Sequence, residues 1–264
     1  AKRRFGVPFV TTYGFWYSAL ARSRTTRWLR RSVEAMGLAA ADAVIVPTEE
    51  FRAYVASRVD SAKVHVIPNG VDTERFRPGS GERLPTKCIL YVGRLSAEKN
   101  LDALVEATGK LMGRFDVSLL FVGDGPCRNR LAVAARRWAV PLELRPFLDH
   151  RALPAVFAAA DVFVLPSLTE GHPKVLLEAM SAGLACIASN VGGNRAIIAD
   201  GESGLLIDPR DPGALAERIE RVLTQESYAR ALGARARAQV LAHYDLAALV
   251  DREIALLRRV ARAA

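Results

Sequence analysis

Residues 88–123 read CILYVGRLSAEKNLDALVEATGKLMGRFDVSLLFVG, and this stretch indicates the fold class. An apolar run, Cys88–Gly93, is followed by a helical pattern near Leu101–Met112 and by a second apolar run, Val117–Gly123. Strands that are apolar along their whole length and joined by a helix are typical of a parallel sheet buried on both faces. The alternation continues to Asp208 and predicts six strands with five crossovers, which make one doubly wound α/β domain.

Further strands and helices are predicted on both sides of this stretch. In the same domain we predict the strands Leu142–Phe147, Asp161–Ser167, Ala185–Asn190 and Gly204–Asp208 and the helices Arg128–Ala139, Leu153–Ala160, Val175–Ala182 and Arg195–Ala199. Before it we predict the strands Val7–Thr12, Ala43–Val46 and Lys63–Ile67 and the helices Thr26–Met36 and Glu49–Val59. These early elements are too few to bury both faces of an independent sheet, so we interpret them as the last portion of a second, Rossmann-like domain.

The predicted organisation has four parts. Residues 1–71 are the remnant of an N-terminal domain, 72–86 are a Pro- and Gly-rich linker, and 87–240 are a complete C-terminal domain. Residues 241–264 form a helix that packs back toward the N-terminal domain, and the final helices are amphipathic and cover a sheet, with Leu246, Val250, Ile254 and Leu257 at helical spacing. Because the chain has no initiator Met and no signal peptide, we expect it to be truncated at its N-terminus.

Composition and charge narrow the class of protein. The 264 residues are half hydrophobic and a quarter charged, which excludes disorder and a disulfide scaffold, and no apolar run is long enough for a transmembrane helix. The formal charge is +9, but residues 1–31 hold eight basic and no acidic side chains, whereas the rest of the chain has 29 basic and 28 acidic ones. Such a local cluster suits an anionic membrane surface or a phosphorylated partner better than nucleic acid, and a solvated basic face is the equally weighted alternative.

The cysteines and histidines give no pattern of a metal site. Three cysteines, Cys88, Cys127 and Cys186, lie far apart without a C-x-x-C spacing, and we interpret them as structural thiols in a reducing compartment. The four histidines are scattered, with no H-x-x-x-H or Cys/His spacing. We therefore predict no structural or catalytic metal.

The most informative local feature is the segment PSLTEGHPKVLLEAMSAG at residues 166–183, between a predicted strand and a predicted helix. Ligands of open α/β sheets bind at this edge. With Pro173 as the first helical residue, the N–H groups around Gly171–Lys174 would favour a phosphate. Glu170 and Glu178 should lie on the order of 10 Å apart, which suits a long ligand with hydroxyls at both ends, such as a nucleotide sugar. The equally weighted alternative is a capping Glu170 and a solvated Glu178.

A second loop, GRLSAEKN at residues 93–100, follows the first strand of the same domain. Arg94 and Lys99 in such a loop can neutralise a diphosphate, Arg94 by forked hydrogen bonds and Lys99 as a point charge. The same cations would stabilise a departing nucleoside diphosphate. Taken alone, a solvated loop in which Glu98 pairs with a neighbour is the favoured interpretation.

Three other features are weaker. Gly192 and Gly193 allow close backbone approach to a ligand, or only a tight turn. The turn Gly123–Pro126 lacks the G-x-G-x-x-G spacing, which argues against a nicotinamide or flavin enzyme. The aromatic cluster Tyr13–Tyr17 (YGFWY) either lines an acceptor cleft or, as the favoured interpretation, packs in the core.

Together these segments resemble the retaining GT-B glycosyltransferases of group 1, the glycogen-synthase-like, family 4 type, over essentially the whole chain. Five motifs occur in the family's order: Ala41–Thr48 (ADAVIVPT); Val66–Asp72 (VIPNGVD); Tyr91–Leu95 (YVGRL) with Glu98–Asn100 (EKN); Val122–Pro126 (VGDGP); and Glu170–Gly171 with Glu178–Met180 (EAM). The resemblance implies two Rossmann-like domains that face a cleft, with the nucleotide sugar held mainly by the C-terminal domain, residues 87–240.

The resemblance also implies roles for individual residues. Arg94 and Lys99 would bind the diphosphate and assist the leaving group, Glu170 would accept hydrogen bonds from the transferred sugar, and these three form the predicted catalytic set. Glu178 would contact the ribose. The predicted donor-binding set is Gly14, Gly93, Arg94, Lys99, Gly171, His172, Pro173, Lys174, Val175 and Glu178. The family needs no bound metal and no cofactor besides its donor substrate.

The sequence departs from the family pattern at three places. Many relatives have E-G-F-G where this chain has Glu170–Pro173 (EGHP), a Glu where it has Ala196, and a His near the position of Tyr13. A His-based catalytic role is therefore not expected. A chain truncated at its N-terminus should retain the donor-binding groups and lack much of the acceptor site.

The expected function is transfer of a sugar, with retention of anomeric configuration, from a nucleoside diphosphate sugar to a lipid, a saccharide or a small molecule. The alternatives are a non-catalytic module that binds anionic membranes or nucleic acid, and a same-fold nucleotide-sugar epimerase or phosphorylase. We expect a cytoplasmic protein with peripheral contact to the inner face of the plasma membrane through residues 1–31.

Overall fold

The computed structural model describes residues 7–14, 24–79 and 86–263, and it divides into two compact units. The first unit is Ala1–Gly70 with Leu246–Ala264, and the second is Val71–Asp245. In chain order, the elements before the second unit are β1 (Val10–Thr12), α1 (Arg24–Ala40), β2 (Ala43–Val46), α2 (Glu49–Ala56) and β3 (Val64–Val66).

The second unit alternates strands and helices throughout. It contains β4 (Lys87–Val92), α3 (Leu101–Gly109), β5 (Val117–Val122), α4 (Arg128–Arg137), β6 (Leu142–Arg145), α5 (Leu153–Ala159), β7 (Val162–Leu165), α6 (Lys174–Ser181), β8 (Ala185–Ser189), α7 (Gly192–Arg195), β9 (Leu205–Ile207), α8 (Pro212–Thr224) and α9 (Glu226–His243). The last helix, α10 (Leu246–Ala263), returns to the first unit.

All six strands of the second unit pair in parallel, in the order β6-β5-β4-β7-β8-β9. The chain runs outward from β4 to β6 in one direction and from β7 to β9 in the other, so the direction of winding reverses between β4 and β7. This is a doubly wound sheet, and the prediction of one such domain is confirmed. The central strands are buried, since every residue of β7 is inaccessible and only Lys87 of β4 is exposed.

The first unit has a three-stranded parallel sheet in the order β1-β2-β3. Thr48 caps α2, because its hydroxyl accepts a hydrogen bond from the Phe51 N–H at 3.3 Å. On one face of this sheet Leu256 of α10 packs with Ala43 and Ile45. The last helix therefore covers a sheet with Leu256, which its neighbours bury to 5% exposure.

Four apolar residues of α10 were predicted to cover the sheet, and for these residues the prediction was wrong. Leu246, Val250, Ile254 and Leu257 are each about 40% exposed, whereas Leu249 and Leu256 are buried. The four exposed residues share one broad apolar face of the helix with Leu249 and Leu256. Burial is confined to the edge of that face that carries Leu249 and Leu256, and periodicity alone does not specify this edge.

Two predicted helix starts also need correction. The short helix predicted at Arg195–Ala199 is α7, at Gly192–Arg195, so the two glycines lie inside its first turn rather than before it. Pro173, predicted as the first helical residue, is the N-cap of α6 with extended backbone (φ −73°, ψ 116°). A proline at either position loses no helical hydrogen bond, and local sequence therefore does not separate the two possibilities.

The segment predicted as a linker is only partly described. Residues 72–79 belong to the second unit, where Phe76 is buried among Phe157 and His150, and residues 80–85 lie outside the described part of the chain. All three cysteines are buried and form no disulfide. Burial, with the nearby charge of Asp161, raises the pKa of Cys88 to about 12 and keeps this thiol protonated.

Candidate active site

The loops that follow β4 and β7 meet at the point where the winding of the sheet reverses. The backbone N–H of Leu168, after β7, donates to the carbonyl of Glu98, after β4, at 2.8 Å. The Asn100 side-chain amide donates to the carbonyls of Pro166 at 3.2 Å and Pro209 at 2.7 Å. Asn100 thereby joins the loops after β4, β7 and β9. Its left-handed backbone (φ 54°, ψ 36°) is a conformation that Asn tolerates better than most residues.

An ion pair joins two of the predicted catalytic residues across these loops. Lys99 Nζ lies 2.7 Å from Glu170 Oε1, although the two residues are 71 positions apart. The Ser167 hydroxyl donates to the same oxygen at 2.7 Å. The side chains are 21% and 9% exposed, so the pair is partly shielded from water and its charges are stronger than those of a surface pair. Glu170 therefore does not act only as a helix cap, the alternative for this residue.

Arg94 lies at the start of the same loop and is exposed. The Tyr91 hydroxyl donates to its carbonyl at 2.9 Å, which holds the backbone. Within the described residues its guanidinium has no hydrogen-bond or ion-pair partner, and its donors are available to an anion. Glu98, by contrast, accepts a hydrogen bond from the Ser96 hydroxyl.

The pKa of Glu98 reflects the positive charge of this loop. Partial burial favours its neutral form, but the Ser96 hydrogen bond, its own backbone N–H and the charges of Lys99 and Arg94 outweigh burial and lower the pKa of Glu98. The pairing of Glu98 with a neighbour, the alternative for this loop, is therefore present. The Arg94 guanidinium is available for a ligand, whereas Lys99 is already paired with Glu170.

The start of α6 presents backbone donors beside this ion pair. The first hydrogen bond of the helix runs from Leu176 N–H to the Pro173 carbonyl, at 3.2 Å. The N–H groups of Lys174 and Val175 precede it and have no partner within the helix. Lys174 is exposed and Val175 is half-buried, while Gly171 is buried. These amides can bind an anion at the positive end of the helix dipole.

His172 is 6% exposed and lies against the Tyr244 ring, with 5.6 Å between ring centroids. Burial lowers the pKa of His172 to about 4, so its imidazole is neutral near pH 7. The Tyr244 hydroxyl donates to the carbonyl of Ala196 at 2.9 Å. His172 therefore contributes shape and no positive charge.

Glu178 is buried and hydrogen-bonded, in contrast to the solvated helix residue of the alternative interpretation. His150 Nε2 lies 2.9 Å from Glu178 Oε1. The other nitrogen of His150, Nδ1, lies 3.4 Å from Arg75 Nη1, and the Phe76 ring packs edge-on against the imidazole. The Glu178 carboxylate is thus held in one orientation by an exposed histidine that a ligand can displace.

Two glycines, Gly193 and Gly123, allow neighbouring backbone segments of the site to approach closely. A Cβ on Gly193 would lie 2.5 Å from the Gly171 carbonyl oxygen and 2.6 Å from that of Glu170. A Cβ on Gly123 would lie 2.0 Å from the Gly93 carbonyl oxygen. The close approach predicted for Gly193 is therefore to the Glu170 loop itself.

Two predicted positions, Gly14 and Tyr13, belong to the first unit. Gly14 packs beside Pro47, where a Cβ would meet the ring at 3.8 Å. Tyr13 is 6% exposed and stacks on Tyr54, with 5.8 Å between centroids, as the core interpretation of the aromatic cluster requires. Residues 15–17 of that cluster lie outside the described part of the chain, as do the side chains of the basic residues at 1–31.

Sequence reasoning gave no role to Asn100, Ser167 or His150. Asn100 lies inside a quoted motif, and its tolerance of left-handed backbone was a usable signal. Ser167 precedes Glu170 by three residues, a common spacing for side chains that meet in a turn. Nothing local to His150 connects it with Glu178, 28 residues later.

Among the described residues, no group of three or more His, Cys, Asp and Glu side chains could hold a metal ion, and no helix is long and apolar enough to cross a membrane.

A doubly wound sheet with cations and helix amides at its reversal point defines a nucleotide-binding type of α/β protein. The family model described as glycosyl transferases group 1 matches residues 72–239, and the model described as glycosyltransferase family 4 matches residues 1–75. The chain belongs to the glycosyl transferases group 1 family. The family and the GT-B type of fold predicted from the motifs are confirmed.

Named relatives agree with this assignment. The chain is 29% identical over 273 residues to UDP-Gal:alpha-D-GlcNAc-diphosphoundecaprenol alpha-1,3-galactosyltransferase of Escherichia coli, covering 96% of this chain and 69% of that protein. It is 34% identical over 241 residues to D-inositol 3-phosphate glycosyltransferase of Mycolicibacterium smegmatis, covering 84% of this chain and 53% of that protein.

Among solved structures, sucrose-phosphate synthase from Thermosynechococcus elongatus superposes with a TM-score of 0.89 at 29% identity, covering 100% of this chain and 70% of that one. The chain thus spans between 53% and 70% of the length of these three relatives.

Proposed function

We propose that the protein transfers a sugar from a nucleoside diphosphate sugar to an acceptor, with the donor bound at the reversal point of the second sheet. The observation that carries this proposal is the Lys99–Glu170 pair, 2.7 Å apart, in two loops that other hydrogen bonds already join. An acid and a cation in contact at a ligand-binding edge can engage the two halves of one ligand, a sugar and a diphosphate.

The cations act on the leaving group. When the glycosidic bond to the phosphate breaks, negative charge develops on the diphosphate, and Lys99 and Arg94 stabilise it. Arg94 can donate two parallel hydrogen bonds, while the amides of Lys174 and Val175 add donors without a proton to lose. These groups supply the electrostatic stabilisation that a metal ion supplies in other transferases.

The acids hold the ends of the donor. Glu170, freed from Lys99 when the phosphate arrives, accepts hydrogen bonds from hydroxyls of the transferred sugar. Glu178 accepts from the ribose hydroxyls in place of His150, whose exposed side chain moves away at little cost. Retention of anomeric configuration belongs to the proposal, since the family resemblance implies it.

The acceptor is a lipid, a saccharide or a small molecule. Two relatives are named for acceptors that carry phosphate groups, a diphosphoundecaprenol lipid and inositol 3-phosphate. Their names support testing phosphorylated acceptors first.

Calorimetric titration with UDP, GDP and ADP tests the donor site. We expect saturable binding of one nucleotide, which Lys99→Ala and Glu178→Ala each weaken by about tenfold or more, since each removes a charged hydrogen bond. Lys87→Ala is the matched control for Lys99, because Lys87 lies at the opposite end of β4 and pairs with Asp161. Glu106→Ala is the control for Glu178, because Glu106 is also a helical glutamate and pairs with Lys110, four residues later in the chain. Failure of all three nucleotides to bind would refute the proposal.

The stereochemistry is tested separately. A donor of known anomeric configuration is incubated with the acceptor that gives turnover, and the coupling constant of the product's anomeric proton is measured by NMR. Retention is expected, and an inverted product would reject this part of the proposal while leaving the donor site intact.

Peripheral membrane contact is a second proposed property. Trp28 and Met36 of α1 are 70% and 72% exposed, and the same helix carries four arginines. An exposed indole on a helix whose sequence is rich in arginine is typical of helices that lie in a membrane interface. The proposed location is the inner face of the plasma membrane. The fraction of protein that cosediments with anionic vesicles should be lower for Trp28→Ala than for the parent protein. Equal binding of the variant and the parent would contradict the proposed membrane contact.

A further inference from the structure

The first unit contains an open pocket of about 690 Å³ that shares no residue with the donor site. It lies among α2, the edge strand β3 and α10. Its charged or titratable lining residues are Glu49 and Arg52 from α2, His65 from β3, and Arg252 and Arg259 from α10. A volume of this order is typical of small-molecule sites.

The charges of this pocket are mostly cationic. Glu49 lies 3.3 Å from Arg52 and offsets one of the three arginines, which leaves a net charge of about +2 with His65 neutral. Arg252 Nη2 donates to the Val66 carbonyl at 3.1 Å, which fixes one guanidinium at the edge of the sheet. Arg259 is exposed and has no hydrogen-bond or ion-pair partner within the described residues.

Arg52 and Arg259 both act electrostatically on His65, a third lining residue of the pocket. Burial, and after it the positive charges of Arg259 and Arg52, lower the pKa of His65. Two cations from separate helices therefore act on one side chain of the strand between them. Such mutual repulsion is relieved when an anion binds among the cations.

We propose that this pocket binds a phosphate-bearing anion, with Arg52, Arg252 and Arg259 as its charged donors. Guanidinium groups match phosphate oxygens through paired hydrogen bonds, and a net charge of about +2 complements a phosphate monoester dianion. The remaining wall, formed by Ile67, Ala255 and Leu256, is apolar and can contact the carbon skeleton of the ligand. This site is additional to the proposed donor site and does not depend on it.

The test follows the His65 ring resonances by NMR in the intact chain. Inorganic phosphate and pyrophosphate are titrated in turn, and we expect a saturable shift with a rise in the pKa of His65. Arg259→Gln and, independently, Arg52→Gln should each weaken the apparent affinity by about tenfold. Arg258→Gln is the matched control, since it removes an equal charge from an exposed neighbouring position outside the pocket. All three variants are surface substitutions, and thermal melting verifies that each remains folded.

A second arm identifies the source of the phosphate. Vesicles of phosphatidylcholine with and without phosphatidic acid are sedimented with each variant. Selective loss of phosphatidic-acid-dependent binding in Arg259→Gln assigns the site to a lipid head group, and equal binding of Arg259→Gln and Arg258→Gln assigns it to a soluble phosphate. A His65 signal that neither anion moves, or that moves equally in Arg259→Gln and Arg258→Gln, overturns the proposal.

Discussion

The donor site of the second unit and the cationic pocket of the first unit hold positive charge in two different ways. In the donor site Lys99 is paired with Glu170 at 2.7 Å, so a ligand has to exchange one anion for another. In the pocket Arg259 has no partner within the described residues, and its charge acts on the neutral His65 instead. A compensated cation is held in position for chemistry, whereas an uncompensated one provides only attraction.

The largest expected effect is on the rate of sugar transfer when the paired cation is removed. Lys99→Ala should lower kcat/KM for sugar transfer by about 10²–10³-fold, because the developing charge on the diphosphate loses a preorganised partner. Lys87→Ala removes a lysine at the start of β4, whereas Lys99 lies in the loop after the end of β4, and this variant should leave kcat/KM unchanged. Initial rates measured with the donor that binds best provide the test, and equal rates for both variants would exclude Lys99 from catalysis.

The histidines of the two regions differ in a way that stability measurements detect. The pKa of His172 is about 4 in the folded protein against 6.5 for an ordinary histidine. Between these values the unfolded chain binds the additional proton, so stability falls as pH decreases from 6.5 to 4, by about 3 kcal/mol at most. In urea unfolding, the free energy of unfolding of His172→Asn should vary less between pH 6.5 and pH 4 than that of the parent protein, by this contribution of His172. An unchanged pH dependence would show that His172 is not buried as described.

The third prediction concerns removal of the carboxylate that pairs with Lys99. Glu170→Gln removes the anion that competes for Lys99, so free nucleoside diphosphate should bind about three- to tenfold more tightly. Transfer should nevertheless slow, since the sugar loses a carboxylate partner. Glu106→Gln serves as the control, because Glu106 pairs with Lys110, four residues later in the chain. Weaker nucleotide binding in Glu170→Gln would mean that the pair acts as one structural unit.

The smallest expected effect concerns salt. Raising the ionic strength screens Arg52 and Arg259, so the pKa of His65 should rise toward its ordinary value. The pKa of His172 is lowered by burial alone and should not move. NMR titrations at two salt concentrations measure the pKa values of both histidines in one sample. Equal changes in the two pKa values would show that Arg52 and Arg259 do not act specifically on His65.

Strands were easier to predict than the contacts of the site. The prediction for β2 matches the observed Ala43–Val46, and that for β5 differs only at its last residue, because short apolar runs bounded by polar residues mark buried strands. The position of α6 was less well defined, since proline suits both its N-cap and its first turn. Arg94, Lys99 and Glu170 were selected from the sequence because charged residues follow the ends of predicted strands there. Glu178 was selected because it lies in the following helix, at a spacing from Glu170 that suits a long ligand.

The partners of those residues could not be predicted. Ser167 is local to Glu170, but Lys99 is 71 residues away, and Glu178 meets His150 from a different element. Each contact depends on which strands are neighbours and where each loop ends. The cationic pocket was missed for the same reason, because Arg52 and Arg259 come from helices that are distant in the chain.

The amino-acid order by itself determined the alternation of strands and helices, the family motifs and the charged residues at the carboxyl edge, because periodicity and residue chemistry are local properties. Only the tertiary structure decided that β4 and β7 lie side by side, that Lys99 meets Glu170, and which face of α10 is buried. Such choices depend on the free energy of packing all elements together, to which residues far apart in the chain contribute jointly.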